Sequence, residues 1–335
     1  MPSGARGGLG VVVVSYNTRD LLDTCLSHLQ RALPSRGADV ECWVVDNASA
    51  DGSAAMVRTR HPWARVVETG SNLGYAAAAN LALRAFAAPT PAAPTPGGGA
   101  GRDWAAVLNP DVELEQGALT ALIQALESRP EAAIAGPRLA YPDGRFQHAA
   151  FRFPGLAQIL LDVFPVRRLA DGRLDGRYAR SAYRSGRPFA VDFPLGACMV
   201  VRVAAMRVVG VMDESYFMYC EEMDWCRRFR AAGHIALCVP AARAVHHAGA
   251  STSRHASEMF VWLWRSRLRY FKTHETPARA RVLVAAARLA LGARALVDRL
   301  ETRAGRLSRA ARDERIARYR AVFAPDWRAE TRTGP

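Results

Sequence analysis

The sequence predicts an α/β protein with a mostly parallel central sheet flanked by helices, followed by a basic helical C-terminal extension. Three observations carry this expectation. From Gly8 to Asp111, short β-branched apolar runs alternate with segments of helical periodicity, the pattern of successive βαβ units. Half of the 335 residues are hydrophobic and 23% are charged, which suffices to bury a core and excludes a chain disordered throughout. The charge is uneven: residues 254–335 hold 19 basic against eight acidic side chains, so +11 of the net +14 lies there.

The run Gly8–Ser15, GLGVVVVS, reads as a buried parallel strand. Thr18 is placed to cap the following helix, whose apolar positions include Leu21, Leu22, Cys25, Leu26 and Leu29. Val40–Val45 gives a second strand ending at Asp46, then a helix over Ser53–Arg60 and a short strand at Ala64–Glu68. Tyr75–Ala88 is an Ala-rich helix, and Trp104–Leu108 is another buried strand, ending at Asn109-Pro110-Asp111. Between them, residues 88–101 are rich in Pro and Gly and read as a surface insert. Further on, strands are expected at Ala133–Ala140, within Val191–Val203 and at Ile235–Val239, with a turn at Tyr141–Gly144 and a helix at Glu222–Ala232. Phe146–Arg187 mixes aromatics, Pro and Arg as a substrate-facing loop would, and the chain beyond Glu258 reads as helical.

Several classes are disfavoured. The sequence contains no apolar run of spanning length and no secretory leader pattern. None of the six cysteines forms a CxxC pair, which argues against a zinc site or a disulfide framework and fits reduced thiols in the cytoplasm. Neither a GxxxxGK[ST] loop nor a GxGxxG after the first strand is present, against P-loop NTPases and dinucleotide oxidoreductases.

In a parallel sheet the ligand sits at the carboxyl ends of the strands. Ser15–Asn17, Asp46–Ser53 and Asn109–Asp111 all fall there. Asp46 can accept hydrogen bonds from a base or a ribose, or it can belong to an ordinary loop whose Asp and Ser cap the next helix. Asp111 is a hard oxygen ligand suited to Mg²⁺ or Mn²⁺ beside a diphosphate, or the end of an Asx turn. Glu221, Glu222 and Asp224 crowd the start of a helix, where the dipole favours their ionised forms. They can supply a general base or merely complement the dipole. His246 and His247 offer imidazoles for a divalent metal, or are structural.

The stretches VVVVSYN, VDNASADGS, SNLGYAAAAN, LNPDVEL, GPRLAYPDGRFQ, GACMVVR, ESYFMYCEEMDWCRR and VHHAGAST follow one another in an order that resembles the inverting family-2 glycosyltransferases, in particular bacterial rhamnosyltransferase-like members. The resemblance spans roughly Gly8 to His274. It implies a GT-A fold, a Rossmann-like nucleotide half joined to an acceptor half. Residues 8–253 would form the catalytic domain, with 8–111 the nucleotide-sugar half and 112–253 the acceptor half, and 254–335 an Arg-rich helical extension.

By the same resemblance, Ser15, Tyr16 and Asn17 line the nucleotide pocket, Asp46 contacts the base, and Asn72 and Gly74 border the nucleotide sugar. Asp111 matches the metal-binding acid of a DxD-type motif whose first acid is replaced by Asn109. His246 matches the His of an H-x-x-G-x-S motif continued by Gly249 and Ser251, so Asp111 and His246 are the expected ligands of Mg²⁺ or Mn²⁺. Glu222 stands at the position of the base, with Glu221 the alternative and Asp224 matching the rest of the motif. The implied reaction is a single in-line displacement from a dTDP-, UDP- or GDP-sugar to a hydroxyl of a glycan or lipid-linked acceptor, at the cytoplasmic side of the membrane.

The tail has two readings. Arg281, Arg288 and Arg299 share a helical face with Val282, Leu283, Val284, Leu289 and Leu291 among them, which suits an anionic bilayer or a helix packed on the catalytic domain with its arginines in water. From Arg303 to Arg318 an Arg recurs every third residue, as in a solvated extension or a surface anchor. Competing functions are a nucleotidyltransferase, which would normally carry a Gly-rich basic loop after the first strand, and a nucleic-acid binder. The latter leaves Asp46, Asp111, His246 and the acid cluster unexplained, so no nucleic-acid partner is expected.

Overall fold

The structure, a computed structural model, describes residues 8–33, 39–88, 102–166, 173–248 and 256–325. Most of the expected insert at 88–101, together with Gly249 and Ser251, lies outside the described residues. In chain order the elements are β1 (Gly8–Ser15), α1 (Arg19–Ala32), β2 (Val40–Asp46), α2 (Ser53–Arg60), β3 (Arg65–Glu68), α3 (Tyr75–Ala87), β4 (Arg102–Leu108), β5 (Val112–Leu114), α4 (Ala118–Glu127), β6 (Ala132–Ala140), β7 (Phe146–Gln147) and β8 (Ala150–Phe151). There follow α5 (Leu156–Val163), α6 (Arg180–Arg184), β9 (Phe189–Val191), β10 (Phe193–Pro194), β11 (Cys198–Arg202), α7 (Val203–Val209), α8 (Glu221–Ala231), β12 (Ile235–His246), α9 (Ala256–His274), α10 (Pro277–Arg303) and α11 (Arg309–Ala321).

Within the described residues the chain forms two compact units. The first comprises the chain up to Phe151, Arg180–Ser215 and Glu221–Ser251; the second comprises Arg152–Ala179, Tyr216–Cys220 and the chain from Thr252. The first unit is built on a sheet of order β3-β2-β1-β4-β11-β6-β12-β5, with β7 on β6 and β9 on β12. β1 is buried at every position and pairs in parallel with β2 and β4. β11 runs antiparallel between β4 and β6, and β12 is parallel to β6, so β3, β2, β1, β4, β6 and β12 all point the same way. Their carboxyl ends lie along one edge, and that edge carries the candidate site.

Local chemistry differs from expectation at several points. The Thr18 hydroxyl does not cap α1; it bonds the Ser15 hydroxyl at 2.9 Å, and Asp51 Oδ2 accepts from the Arg19 amide at 2.8 Å instead. A carboxylate brought in from the β2–α2 loop thus does the capping and fastens two loops together. The last strand extends beyond Val239 to His246 through an irregularity between Val239 and Arg243. Phe146–Arg187 is not one loop. It contains β7, β8, α5 and α6, and Tyr183 of α6 meets Phe146 and Phe189 edge to face. All six cysteines are buried free thiols; burial pushes Cys42, Cys198 and Cys238 up to about 12.

The second unit gathers α5, a 3-10 turn at Arg173–Asp175 and α9 to α11. Pro277 opens α10, and the Thr276 side chain accepts from the Arg279 amide at 3.4 Å. The stretch Arg303–Arg318 ends α10, passes through the exposed Arg306 and Arg309 and continues into α11, which is tied to α10 at one buried carboxylate. Asp298, wholly buried, accepts from Arg294 (3.0 Å), Arg315 (3.3 Å) and the Tyr319 hydroxyl (3.0 Å), tying α11 to α10. No described helix is long and apolar enough to cross a membrane.

A tight constraint on the first unit is at Gly10, where a Cβ would meet the ring of the buried Phe86 of α3 at 2.5 Å. Gly10→Ala should cost about 1–3 kcal/mol of stability through overpacking, read as a lowered midpoint in chemical denaturation. Unchanged stability would mean that α3 is free to shift away from β1.

Candidate active site

Three loops leave the same sheet edge after β1, β2 and β4, and hydrogen bonds lock the first two. The Asn17 amide donates to Ser49 Oγ (2.9 Å), and Asn17 Oδ1 accepts from the Ala50 amide (2.8 Å). Asn17 does this from the left-handed region, φ 52°. Asp51 accepts from the Ser53 amide (3.0 Å) and hydroxyl (2.6 Å) as well as from Arg19, and is held below its ordinary value by these bonds, against the opposing effect of burial. Tyr16, at the start of the first loop, is half-buried.

Asp46, the last residue of β2, is buried. Its Oδ2 accepts from the Ser49 amide (3.2 Å), while Oδ1 has no hydrogen-bond partner. Burial raises its carboxyl pKa, with the Ser49 hydrogen bonds opposing. Its neighbour Asn47 reaches the loop between β3 and α3: Nδ2 donates to Asn72 Oδ1 (2.8 Å), and Oδ1 accepts from the Leu73 amide (2.9 Å). Asn72 Oδ1 also accepts from the Gly74 amide (3.0 Å), with Gly74 at φ 82° where a side chain would be strained. Asn72 and Gly74 are therefore held beside the β2 loop at the start of α3.

The Asn109 amide donates to Ala197 O (2.9 Å), joining the β4 loop to the residue before β11, and its buried Oδ1 is unpartnered. Two residues on, Asp111 faces His246. The strand pairing that sets His246 opposite Val112 brings the carboxylate and imidazole together from 135 positions apart. Asp111 Oδ1 lies 3.4 Å from His246 Nε2, and both side chains are buried. The Gln147 amide meets His246 Nδ1 through either end, at 3.1 and 3.3 Å. With the amide oxygen accepting the Nδ1 proton, Nε2 keeps a lone pair toward Asp111. His247 belongs elsewhere, with Nε2 2.6 Å from Glu113 Oε1.

Asp111 Oδ1 is buried without a hydrogen-bond partner, and a hard oxygen beside an imidazole nitrogen suits Mg²⁺ or Mn²⁺. Among the described residues no group of three His, Cys, Asp or Glu side chains forms a metal cluster. The pair offers such an ion two ligands.

The acid cluster resolves into three environments. Asp224 accepts from Arg228 Nε (2.8 Å), and Arg228 also donates to Val209 O and Val211 O, so this pair fastens α8 to the loop after α7. Trp225 Nε1 donates to Gly210 O in the same loop (2.8 Å). Glu221 is buried with Oε2 unpartnered, and its carboxyl is pushed well above the ordinary value by burial and then by the charge of Glu222. Glu222 is half-buried and packs over Gly196, where a Cβ would come within 3.4 Å of its side chain.

Two site residues escaped the sequence reading. Gln147, which orients His246, sits in a quoted stretch but carries no spacing signal. Tyr75 follows Gly74 directly; its hydroxyl is buried and unpartnered. Burial, and then the nearby carboxylates of Glu221 and Glu222, push that phenol well above its ordinary value. Tyr75 lies within electrostatic reach of both the acid cluster and Asp111.

The Glycosyl transferase family 2 model matches residues 10–171. The N-acetylglucosaminyl-diphospho-decaprenol L-rhamnosyltransferase of Mycobacterium tuberculosis is 31% identical over 304 residues, covering 82% of this chain and 92% of that protein. Rhamnosyltransferase WbbL of Escherichia coli is 38% identical over 93 residues, 28% of this chain and 33% of its own. Among solved structures, the mannosyltransferase PcManGT of Pyrobaculum calidifontis, in complex with GDP-Man and Mn²⁺, superposes with a TM-score of 0.54 at 17% identity, covering 95% of this chain and 86% of that one. That likeness shows the fold, a GT-A arrangement of mixed sheet and flanking helices. On the sequence relationship, the chain belongs to the family-2 glycosyltransferases.

Proposed function

We propose that this protein is an inverting, metal-assisted glycosyltransferase that moves a sugar, with L-rhamnose the leading candidate, from a nucleoside diphosphate to a hydroxyl of a lipid-linked glycan. The transfer takes place at the cytoplasmic face of a membrane. The observation that carries this reading is the buried Asp111–His246 pair at 3.4 Å, on the same sheet edge as Asp46. The choice of sugar and acceptor leans on the relative from M. tuberculosis, whose name specifies a rhamnosyl transfer to a decaprenol-linked diphosphate sugar.

In this reading Asp46 accepts from the base or ribose, and Ser15, Tyr16, Asn17, Asn72, Gly74 and Asn109 line the nucleotide-sugar pocket. Asp111 and His246 hold Mg²⁺ or Mn²⁺, which supplies neutralisation of the charge that builds on the departing diphosphate. Glu222 removes the acceptor hydroxyl proton as that oxygen attacks the anomeric carbon from the face opposite the leaving group. One displacement inverts the configuration. Support for Glu222 over Glu221 comes from burial: Glu221 resists ionisation, while Glu222 is open enough to meet a substrate. Asp224 acts through Arg228 as a positioning residue for α8.

Release of nucleoside diphosphate from a panel of nucleotide sugars, with and without Mn²⁺, tests the donor and metal assignments. One donor should be hydrolysed slowly and only with metal, and Asp111→Ala should lower that rate by about 100-fold or more. A rate unchanged in Asp111→Ala would remove Asp111 from the metal site.

The two glutamates separate by different readouts. Glu222→Gln should keep donor binding and lose turnover. Glu221 has a raised folded-state pKa, so its stabilising contribution is complete below the unfolded value, about 4.3, and is lost as pH rises above it. Glu221→Gln should therefore melt higher than the wild type at neutral pH and match it below about pH 4. Loss of turnover in Glu221→Gln with full activity in Glu222→Gln would reverse the assignment.

A further inference from the structure

Among the described residues, eight of the ten large apolar side chains that are exposed belong to the second, smaller unit. Four of them lie on α10: Val282, Leu289, Leu296 and Leu300, exposed by 58%, 73%, 56% and 52%. Their spacings of seven, seven and four place them in one stripe along the helix. The opposite side of α10 is already occupied, since Ala280, Leu283, Ala287, Ala290 and Leu291 are buried in the unit. The exposed stripe is therefore a second apolar face that the fold does not use.

The charges around the stripe have one sign. Arg281, Arg288 and Arg299 are exposed along one flank; along the other, the exposed Arg279 is paired with Glu275 at 3.0 Å, whose own side chain is largely covered. The only acids of α10 are Asp298, buried among its cationic partners, and the half-buried Glu301, which pairs with Arg294. The exposed face thus presents leucines between arginines with no fully exposed carboxylate. Beside it, a groove of ≈ 680 Å³ is lined by Lys272, Ala280, Arg281, Val284, Ala285 and Leu289, among others, again apolar with cations.

We propose that this face of α10 docks on an anionic lipid bilayer, with the stripe entering the headgroup–acyl boundary and the arginines meeting lipid phosphates. A helix lying in the interface needs this combination of apolar stripe and flanking cations. A second copy of the chain suits the face poorly, because it would set arginines against arginines with no exposed acid between them. A nucleic acid would engage the arginines and leave the leucines in water. The inference deepens the lipid-linked acceptor proposed above, and rests on that reading for its purpose.

The test is co-sedimentation of the full chain with vesicles of mixed phosphatidylglycerol and phosphatidylcholine, and with phosphatidylcholine alone. The wild type should bind the anionic vesicles and weaken with salt. The double variant Leu289→Gln/Leu296→Gln and the double variant Arg281→Gln/Arg299→Gln should each bind about tenfold more weakly or worse. All four positions are exposed, so both variants should fold, and both should bind nucleotide sugar as the wild type does. No binding of wild type to anionic vesicles, or equal binding by the leucine variant, overturns the proposal. So does a lipid-free dimer that the leucine variant abolishes. Vesicle binding by a protein that binds no nucleotide sugar would remove the proposed reaction and leave the docking face standing.

Discussion

The register of β1 is the constraint on which the rest depends. This strand is buried along its whole length between two parallel neighbours, with Ser15 opposite Asp46 and Val13 opposite Leu108. A parallel pairing fixed on both sides leaves no freedom to slip, since a one-residue shift would turn every side chain to the wrong face. The loops after β1, β2 and β4 therefore emerge side by side. Antiparallel β11 continues the edge by starting at Cys198 opposite Leu108, and β12 closes it by bringing His246 opposite Val112. Residues far apart in sequence become one polar rim on an apolar sheet.

That rim concentrates groups that a core would not retain. Asp46 and Glu221 are buried carboxyls with raised pKa, each with one oxygen lacking a hydrogen-bond partner. Such atoms cost stability unless something else requires them. The surrounding scaffold is correspondingly firm. The loop after α7 is clamped from one side by the buried Asn80 of α3, whose amide exchanges two hydrogen bonds with Met212, at 2.8 and 3.1 Å. From the other side Arg228 and Trp225 of α8 hold it. Helix α3, which begins after the Asn72–Gly74 loop, and helix α8, which carries the acids, are thereby fixed to one connection.

The strands that carry the site were legible because each is a short apolar run ended by a polar residue, and the GT-A class followed from the order of the motifs. Side-chain partners were less so. Thr18 looks like a cap, yet the tertiary approach of Asp51 takes its place. Asp224 looks like a third site acid, yet an arginine one turn later claims it. The Phe146–Arg187 stretch hides small elements because each is short, α5 being the longest at 8 residues, too few for a periodicity to stand out. In α10 the apolar residues fall on two faces, so pattern alone could not separate the buried Leu283 and Leu291 from the exposed Val282 and Leu289. Gln147 and Tyr75 come to the sheet edge by tertiary position, which no local pattern announces.

The central claim is that one sheet edge binds a nucleoside diphosphate sugar through Asp46 at one end and the Asp111–His246 pair at the other. A crystal structure with nucleoside diphosphate and Mn²⁺ tests it most directly. The account predicts the base or ribose against Asp46 and the ion bonded to Asp111, to His246 Nε2 and to phosphate oxygens, with Glu222 facing the open side. A diphosphate bound elsewhere, or an ion coordinated without Asp111 and His246, would contradict it.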